Sequence, residues 1–210
     1  MSKKPVLAIL ALSAAGITAP VLAADSNFYG VLSLGRSRLN ADSTSVDGHN
    51  QRGGFTSSST SASAGATGVK AQLGYNLGKT FALEGGYNYL GKTDFLSLTN
   101  LGNIGGSKEA SLYNLDLVAK LPVTEQFSVL GKFGVYYWRT RNDMPNPFTL
   151  GTSTFNDSGF DFKIGAGVQY DFTPRFGLRG EFERFNGVGK NETTGDSKVN
   201  QVTVGAVLKF

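Results

Sequence analysis

The residues able to do chemistry in this chain are few and unevenly placed. There is no Cys, so disulfides, thiolate metal sites and cysteine nucleophiles are excluded. A single His, His49, lies in a stretch rich in Ser, Thr, Gly and Asn rather than on a strand where a Ser or acid could be held beside it, so it reads as a solvated loop residue. The run Gly86-Tyr-Asn-Tyr-Leu-Gly91-Lys92-Thr93 fits the spacing of a phosphate-cradling loop. That chemistry needs a strand before the loop and a helix after it. Here Tyr87 and Tyr89 continue an alternating pattern, and the residues from Asp94 to Ser107 carry no helical period, so the match is coincidental. What remains is a set of charges that share one face of the alternating runs in which they lie: Lys70, Lys120, Lys132, Lys163, Arg179 and Lys209 against Glu84, Asp116, Asp161, Asp171, Glu181 and Glu183. Opposite charges in equal number make ion pairs, and Glu84, Lys120, Lys132, Arg179 and Glu181 are the candidates for a pore lining, a gate or a plug of salt bridges.

Each of these charges sits in a segment of period two. Val69, Ala71, Leu73, Tyr75 and Leu77 alternate with Lys70, Gln72, Gly74 and Asn76. Phe127, Val129, Gly131, Phe133, Val135 and Tyr137 alternate with Ser128, Leu130, Lys132, Gly134 and Tyr136. The same pattern recurs around Leu83, Leu115, Ile164, Leu178 and Val204, and more weakly around Leu32, which makes eight strands in all. Strict alternation marks strands with a different environment on each face. No position on the apolar face is charged, although charged residues make up 17% of the chain. A soluble sandwich or lipocalin-like barrel would also alternate, but connection lengths decide against it. Residues 78–80, 122–126 and 173–175 are short turns, while 38–66, 92–108, 139–157 and 186–198 are long. Short turns on one rim and long loops on the other describe a membrane barrel, and strands of about ten residues at the usual tilt cover its apolar band. Tyr75, Phe81, Phe127, Tyr170, Phe172, Phe176 and Phe210 lie beside the short turns; Tyr87, Tyr89, Tyr113, Tyr137 and Phe182 lie toward the other end. These are two aromatic girdles at headgroup level. Trp138 and Arg139 read as further interface anchors. In hydrocarbon an open sheet edge leaves backbone groups unpaired, so the first strand must close on the last.

The first residues form a separate unit. Lys3 and Lys4, an apolar run from Val6 to Ile17 and the small-residue site Val21-Leu22-Ala23 have the layout of a secretory signal peptide over 1–23, leaving the barrel domain to 24–210, with cleavage after Ala23 or Ala24. Its removal lowers the formal charge of +4 by two. What remains is too weakly basic to argue for nucleic acid. The low-complexity stretch Phe55–Thr67, centred on Ser57–Ser63, is expected to stay unordered, an exposed loop that could contact other surfaces.

The runs Phe81-Ala-Leu-Glu-Gly-Gly-Tyr-Asn-Tyr-Leu-Gly, Lys132-Phe-Gly-Val-Tyr-Tyr-Trp-Arg139 and Tyr170-Asp-Phe-Thr-Pro174, with the terminal Val204-Gly-Ala-Val-Leu-Lys-Phe210, resemble the OmpA/OmpX-type eight-stranded outer-membrane barrels. The resemblance implies an ion pair inside the barrel between Glu84 and Arg179, with Lys120 as the matching lysine. It puts Gln169 where the family carries an acid that serves as an alternative partner, which leaves a partner-exchange gate without one of its parts. It also implies that Phe210 is an assembly signal. The peptidoglycan-binding domain of the larger family members is not implied for this chain.

The expectation is therefore an all-β, eight-stranded antiparallel up-and-down transmembrane barrel of a Gram-negative outer membrane, monomeric and without cofactor, metal or catalytic residues. Its expected partners are outer-membrane lipid, lipopolysaccharide and the outer-membrane assembly machinery. Its expected role is structural, with surface display of the loops. A narrow pore for ions or small solutes, gated or ungated, and an adhesin acting through the loops are the alternatives.

Overall fold

The computed structural model describes residues 27–40, 58–62, 65–99, 102–146, 151–188 and 198–210. Among the described residues there are nine strands: β1 Phe28–Asn40, β2 Ser58–Ala62, β3 Ala66–Asn76, β4 Phe81–Thr99, β5 Gly102–Pro122, β6 Phe127–Asn146, β7 Gly151–Asp171, β8 Phe176–Phe185 and β9 Lys198–Lys209. All neighbouring pairs are antiparallel, and β1 pairs with β9 from Tyr29↔Lys209 to Asn40↔Lys198. Pairing of β4 with β5 joins the remaining ends of the sheet, so β1 and β3–β9 form a closed eight-stranded barrel. Closure leaves no unpaired edge where the wall meets hydrocarbon.

Two of the three turns on the short rim repeat one device. In Thr124–Phe127 and again in Thr173–Phe176, the threonine hydroxyl accepts from the phenylalanine amide at 3.0 Å, and the phenylalanine carbonyl accepts from the threonine amide at 3.1 Å. A Thr three residues before the next strand thus closes the hairpin with its side chain.

The outward face follows the alternation throughout. Leu32, Leu73, Leu83, Leu117, Phe133, Ile164, Leu178 and Val204 are all exposed on the outer wall, and Leu117 at 46% is typical. On the outside of β4–β7 the register aligns Tyr87, Tyr113, Tyr137 and Phe160 in one row. Ring centroids are 5.4 Å apart for Tyr87–Tyr113 and 4.8 Å for Tyr137–Phe160. At the short-turn rim Phe172 stacks on Phe176 at 5.9 Å and meets Tyr170 at 5.0 Å.

Three expectations are corrected. β4 to β7 are 19–21 residues long rather than about ten, because 92–108 and 139–157 are not loops over most of their length. They continue as hairpins, β4 with β5 out to Thr99↔Gly102 and β6 with β7 out to Asn146↔Gly151. Ser58–Ala62, inside the low-complexity stretch, is not irregular: it forms β2 against Phe95–Thr99, where a ready-made strand edge supplies the backbone partners that its composition cannot. Trp138 is no interface anchor. It points into the barrel and is 3% exposed, because it shares the parity of Lys132 rather than that of Tyr137. The signal segment and His49 lie outside the described residues.

The phosphate-loop spacing dissolves into strand geometry. The β4–β5 register shifts between Tyr89 and Gly91, so Leu90 and Gly91 both turn inward before Lys92 resumes the outer face. Gly91 has φ of +92°, and a Cβ there would lie 2.4 Å from the carbonyl oxygen of Thr67. The bulge therefore requires glycine at this point.

Candidate functional site

The barrel interior is built from the second parity of every strand. Eight strands leave room for side chains and little else. Large charged groups fit because glycines of adjacent strands give them space. A Cβ on Gly134 would lie 2.0 Å from Asp116 Oδ1, one on Gly74 would lie 2.2 Å from the Tyr29 ring, and Gly165 and Gly167 open the wall beside Glu183 and Glu181. On the outer face, by contrast, a Cβ on Gly131 would meet nothing within 4 Å.

Within that space the charges form one alternating chain. Arg179 Nη1 lies 2.5 Å from Glu84 Oε1. Lys132 Nζ lies 2.5 Å from Glu84 Oε2 and also pairs with Glu181. Lys70 pairs with Glu181 and lies 2.7 Å from Glu183 Oε2. Lys163 then joins Glu183 at 2.7 Å to Asp116 at 2.8 Å. Arg179, Lys132, Lys70 and Lys163 thus balance Glu84, Glu181, Glu183 and Asp116, and all eight are buried. Each cation touches two carboxylates, which is how a buried ionic set offsets the desolvation of its members.

The candidates named from sequence separate in this arrangement. Glu84, Lys132, Arg179 and Glu181 come together at one end of the chain of pairs. Gln169 joins them as a neutral member: its Oε1 accepts from Arg179 Nε at 3.0 Å and Nη2 at 2.8 Å, and its Nε2 donates to Asp171 Oδ1 at 2.8 Å. Asp171 in turn lies 2.6 Å from Lys209 Nζ. Lys120 stands apart. It is half-buried, with its ammonium 5.4 Å from the centre of the Tyr29 ring, and the lysine beside Glu84 is Lys132 of β6. Parity put both lysines inward, but height inside a tilted barrel depends on register, which parity does not contain. Phe210, the assembly-signal candidate, lies at the short-turn rim, where its amide donates to the Phe28 carbonyl at 3.1 Å.

Sequence reading missed several participants. Tyr29 donates to Glu84 Oε1 at 2.6 Å and lies with its ring 5.4 Å from the Arg179 guanidinium. Lys70, Lys163, Asp116 and Glu183 were on the inward face but not among the ion-pair candidates. The parity alone could have found them, since each lies an even number of residues from an inward neighbour on its own strand.

The ionic chain also lies between two apolar layers that parity did not foretell. Toward the short turns, Tyr29, Val31, Ala82, Val118, Leu130 and Val207 pack inside β1, β4, β5, β6 and β9. On the β7–β8 side Gln169, Asp171 and Lys209 continue the polar run. Toward the long connections Leu90, Leu112, Tyr136, Trp138, Phe185, Val188 and Val199 fill the interior. Tyr136 meets Phe185 edge-on at 5.4 Å and donates its hydroxyl to the Asn186 carbonyl.

Comparison with known proteins agrees with this architecture. The model of the outer membrane protein beta-barrel domain family matches residues 8–210. Outer membrane protein A of Salmonella typhi is 29% identical over 149 residues, covering 68% of this chain and 40% of that protein. Outer membrane protein A of Shigella dysenteriae is 26% identical over 220 residues, covering 100% of this chain and 56% of its own length. The chain thus spans about half the length of the curated relatives it matches. Among solved structures, Neisserial surface protein A superposes with a TM-score of 0.57 at 14% identity, covering 88% of this chain and 98% of the other.

Proposed function

Since the chain belongs to the outer membrane protein beta-barrel domain family, we propose that it serves the bacterial outer membrane as a sealed, non-enzymatic structural barrel that displays its long hairpins at the surface. The observation that carries this reading is the layered interior. An ionic chain with no surplus charge is held under a largely apolar cluster, and a hydrophobic constriction of that kind excludes hydrated ions. Its charged groups are paired with one another rather than left open toward a substrate.

A gated pore is the second reading, supported by one observation. Arg179 Nη1 lies 3.6 Å from Glu181 Oε1 while it holds Glu84, so a second carboxylate is in reach of the same guanidinium. Planar-bilayer recording separates the two. For the sealed barrel, purified wild-type protein shows no unitary conductance, and Glu84→Ala and Arg179→Ala show none either. Steps in the wild type would overturn the sealed reading. A gain of conductance confined to the variants would identify the ion pair as a gate.

A further inference from the structure

Beyond the row Tyr87–Tyr113–Tyr137–Phe160, strands β4 to β7 outgrow their neighbours and continue with β2 as one sheet, ordered β2-β4-β5-β6-β7. The two edges of this sheet are treated differently. β4 is covered by β2, so an open edge here takes a strand even from a low-complexity segment. β7 is not covered. β8 ends at Phe185, registered with Lys163, and Gly187 with φ of +74° turns the chain so that Val188 is buried inside the mouth. Among the described residues no strand flanks β7 from Gly151 to Asp161 on the β8 side. Such an edge offers unpaired N–H and C=O groups to any arriving strand. The Phe162 carbonyl faces that side, where it accepts from the Asn186 amide at 3.5 Å, and in a strand every second residue turns its amide and carbonyl the same way. The edge amides therefore belong to Asn156, Ser158, Phe160 and Phe162. Two of them are already taken by the carboxylate of the preceding residue: Ser158 N donates to Asp157 Oδ1 at 2.8 Å, and Phe162 N donates to Asp161 Oδ1 at 2.7 Å.

We propose that Asp157 and Asp161 close the outer edge of β7 against strand addition, and that the strand they exclude is β7 of a second copy of this chain. The device rests on the membrane placement and holds whether or not the barrel conducts. The membrane itself argues for that partner. It keeps every copy at one height and in one orientation, so two barrels that meet through β7 bring identical edges level about a twofold axis along the membrane normal, an isologous contact. Parity supplies the caps. Asp157, Gly159 and Asp161 have the inward parity of β7, but both acids are half-buried rather than enclosed, and each carboxylate bends back to the next amide. The Phe162 amide needs its cap most. Phe162 faces the outer wall two residues nearer the membrane than Phe160, where water is scarce and an amide without a partner is costly. An arriving strand would have to displace a charged acceptor from each capped amide, and hydrogen bonds to a carboxylate are the stronger kind. Inward-parity charges are one of the means by which sheet edges are kept from pairing.

The chain has no Cys, so one introduced cysteine reports proximity between copies. Asn156→Cys places it on the outer wall beside this edge, and Thr67→Cys places it on β3, on the opposite side of the barrel. Each is combined with the wild-type acids, with Asp157→Ala/Asp161→Ala and with Asp157→Asn/Asp161→Asn. The full chain is reconstituted in vesicles at equal density, and disulfide-linked dimer is measured after mild oxidation. At position 156 the Ala pair is expected to raise the dimer about tenfold, the scale of one net hydrogen bond gained between copies. The Asn pair is expected to stay within about twofold of the wild type, because an amide oxygen still accepts. Position 67 is expected not to respond. No rise with the Ala pair, a rise with the Asn pair equal to that with Ala, or an equal rise at position 67 would overturn the proposal. The second result would assign the effect to charge repulsion, and the third to unspecific aggregation. Heat-dependent electrophoretic mobility reports folding independently. If the Ala pair fails that check, Asp157→Ala and Asp161→Ala are measured singly, each expected to raise the dimer about threefold, and no rise in either is equally fatal. Conductance of the wild type in a planar bilayer would refute the sealed barrel without altering these yields.

Discussion

Glu84→Ala destabilises the folded barrel by about 3–5 kcal/mol, and adding Arg179→Ala restores part of that loss. The expectation comes from charge balance. In the wild type, Glu84 receives Arg179 Nη1 and Lys132 Nζ, each at 2.5 Å, and the Tyr29 hydroxyl at 2.6 Å. Removing the carboxylate leaves the interior with one cation in excess. Arg179 keeps the neutral Gln169 and a carboxylate only at 3.6 Å, and Tyr29 loses its acceptor. The arginine cannot shed its proton to escape. Arg179→Ala alone produces the opposite surplus, a carboxylate held by Lys132 and Tyr29 only. The double variant has equal charges again, so its cost falls below the sum of the two single costs by a coupling of about 1–3 kcal/mol. Urea unfolding in lipid vesicles, followed by fluorescence of the single Trp, measures all four corners of the cycle. Additive single costs would show that Glu84 and Arg179 do not share one balanced network.

The second large effect belongs to the outer face and depends on depth. Leu117 lies in the middle of the outward row Leu83, Leu117, Phe133 and Ile164, while Leu121 lies two outward positions nearer the short turns. Both are exposed, at 46% and 65%. If the surrounding medium were water, Arg at either position would change stability by less than about 0.5 kcal/mol, as surface substitutions do. In a bilayer, Leu117→Arg costs about 2–4 kcal/mol and Leu121→Arg about 0–1 kcal/mol. The same vesicle-unfolding measurement reads both. The ratio between them carries the information, since a general intolerance of Arg would affect both equally.

How far the sequence disclosed this molecule follows from what a period of two can encode. It assigns each residue to a face, because lipid tolerates no charge and the narrow interior requires polar groups to be paired; Leu117 outward and Lys132 inward needed nothing more. It does not encode height, and height decides partners. Lys120 and Lys132 have the same parity, yet only Lys132 reaches Glu84, because strand tilt and register displace the strands against one another. Nor does alternation forbid apolar residues on the inward face. Leu112, Tyr136, Trp138, Phe185 and Val199 have the parity of the buried charges and line up at the mouth only once the register is set. The bulge at Gly91 was masked by an apparent nucleotide motif, and the extension of β4–β7 past the membrane was masked by polar compositions that read as loop. In each case long-range backbone pairing overrode the local signal.

The account depends most on hydrocarbon meeting the outward parity, and the absence of Cys makes that directly measurable. Single cysteines at Val202, Val204 and Leu208, facing out on β9, and at Thr203 and Val207, facing in, would each carry a fluorophore or spin label in vesicle-reconstituted protein. A lipid-confined quencher should reach labels at 202, 204 and 208 and leave those at 203 and 207 unaffected, while a water-soluble quencher should reach none at bilayer depth. Efficient quenching of 202, 204 and 208 from the aqueous phase, with no period of two toward the lipid quencher, would contradict the account.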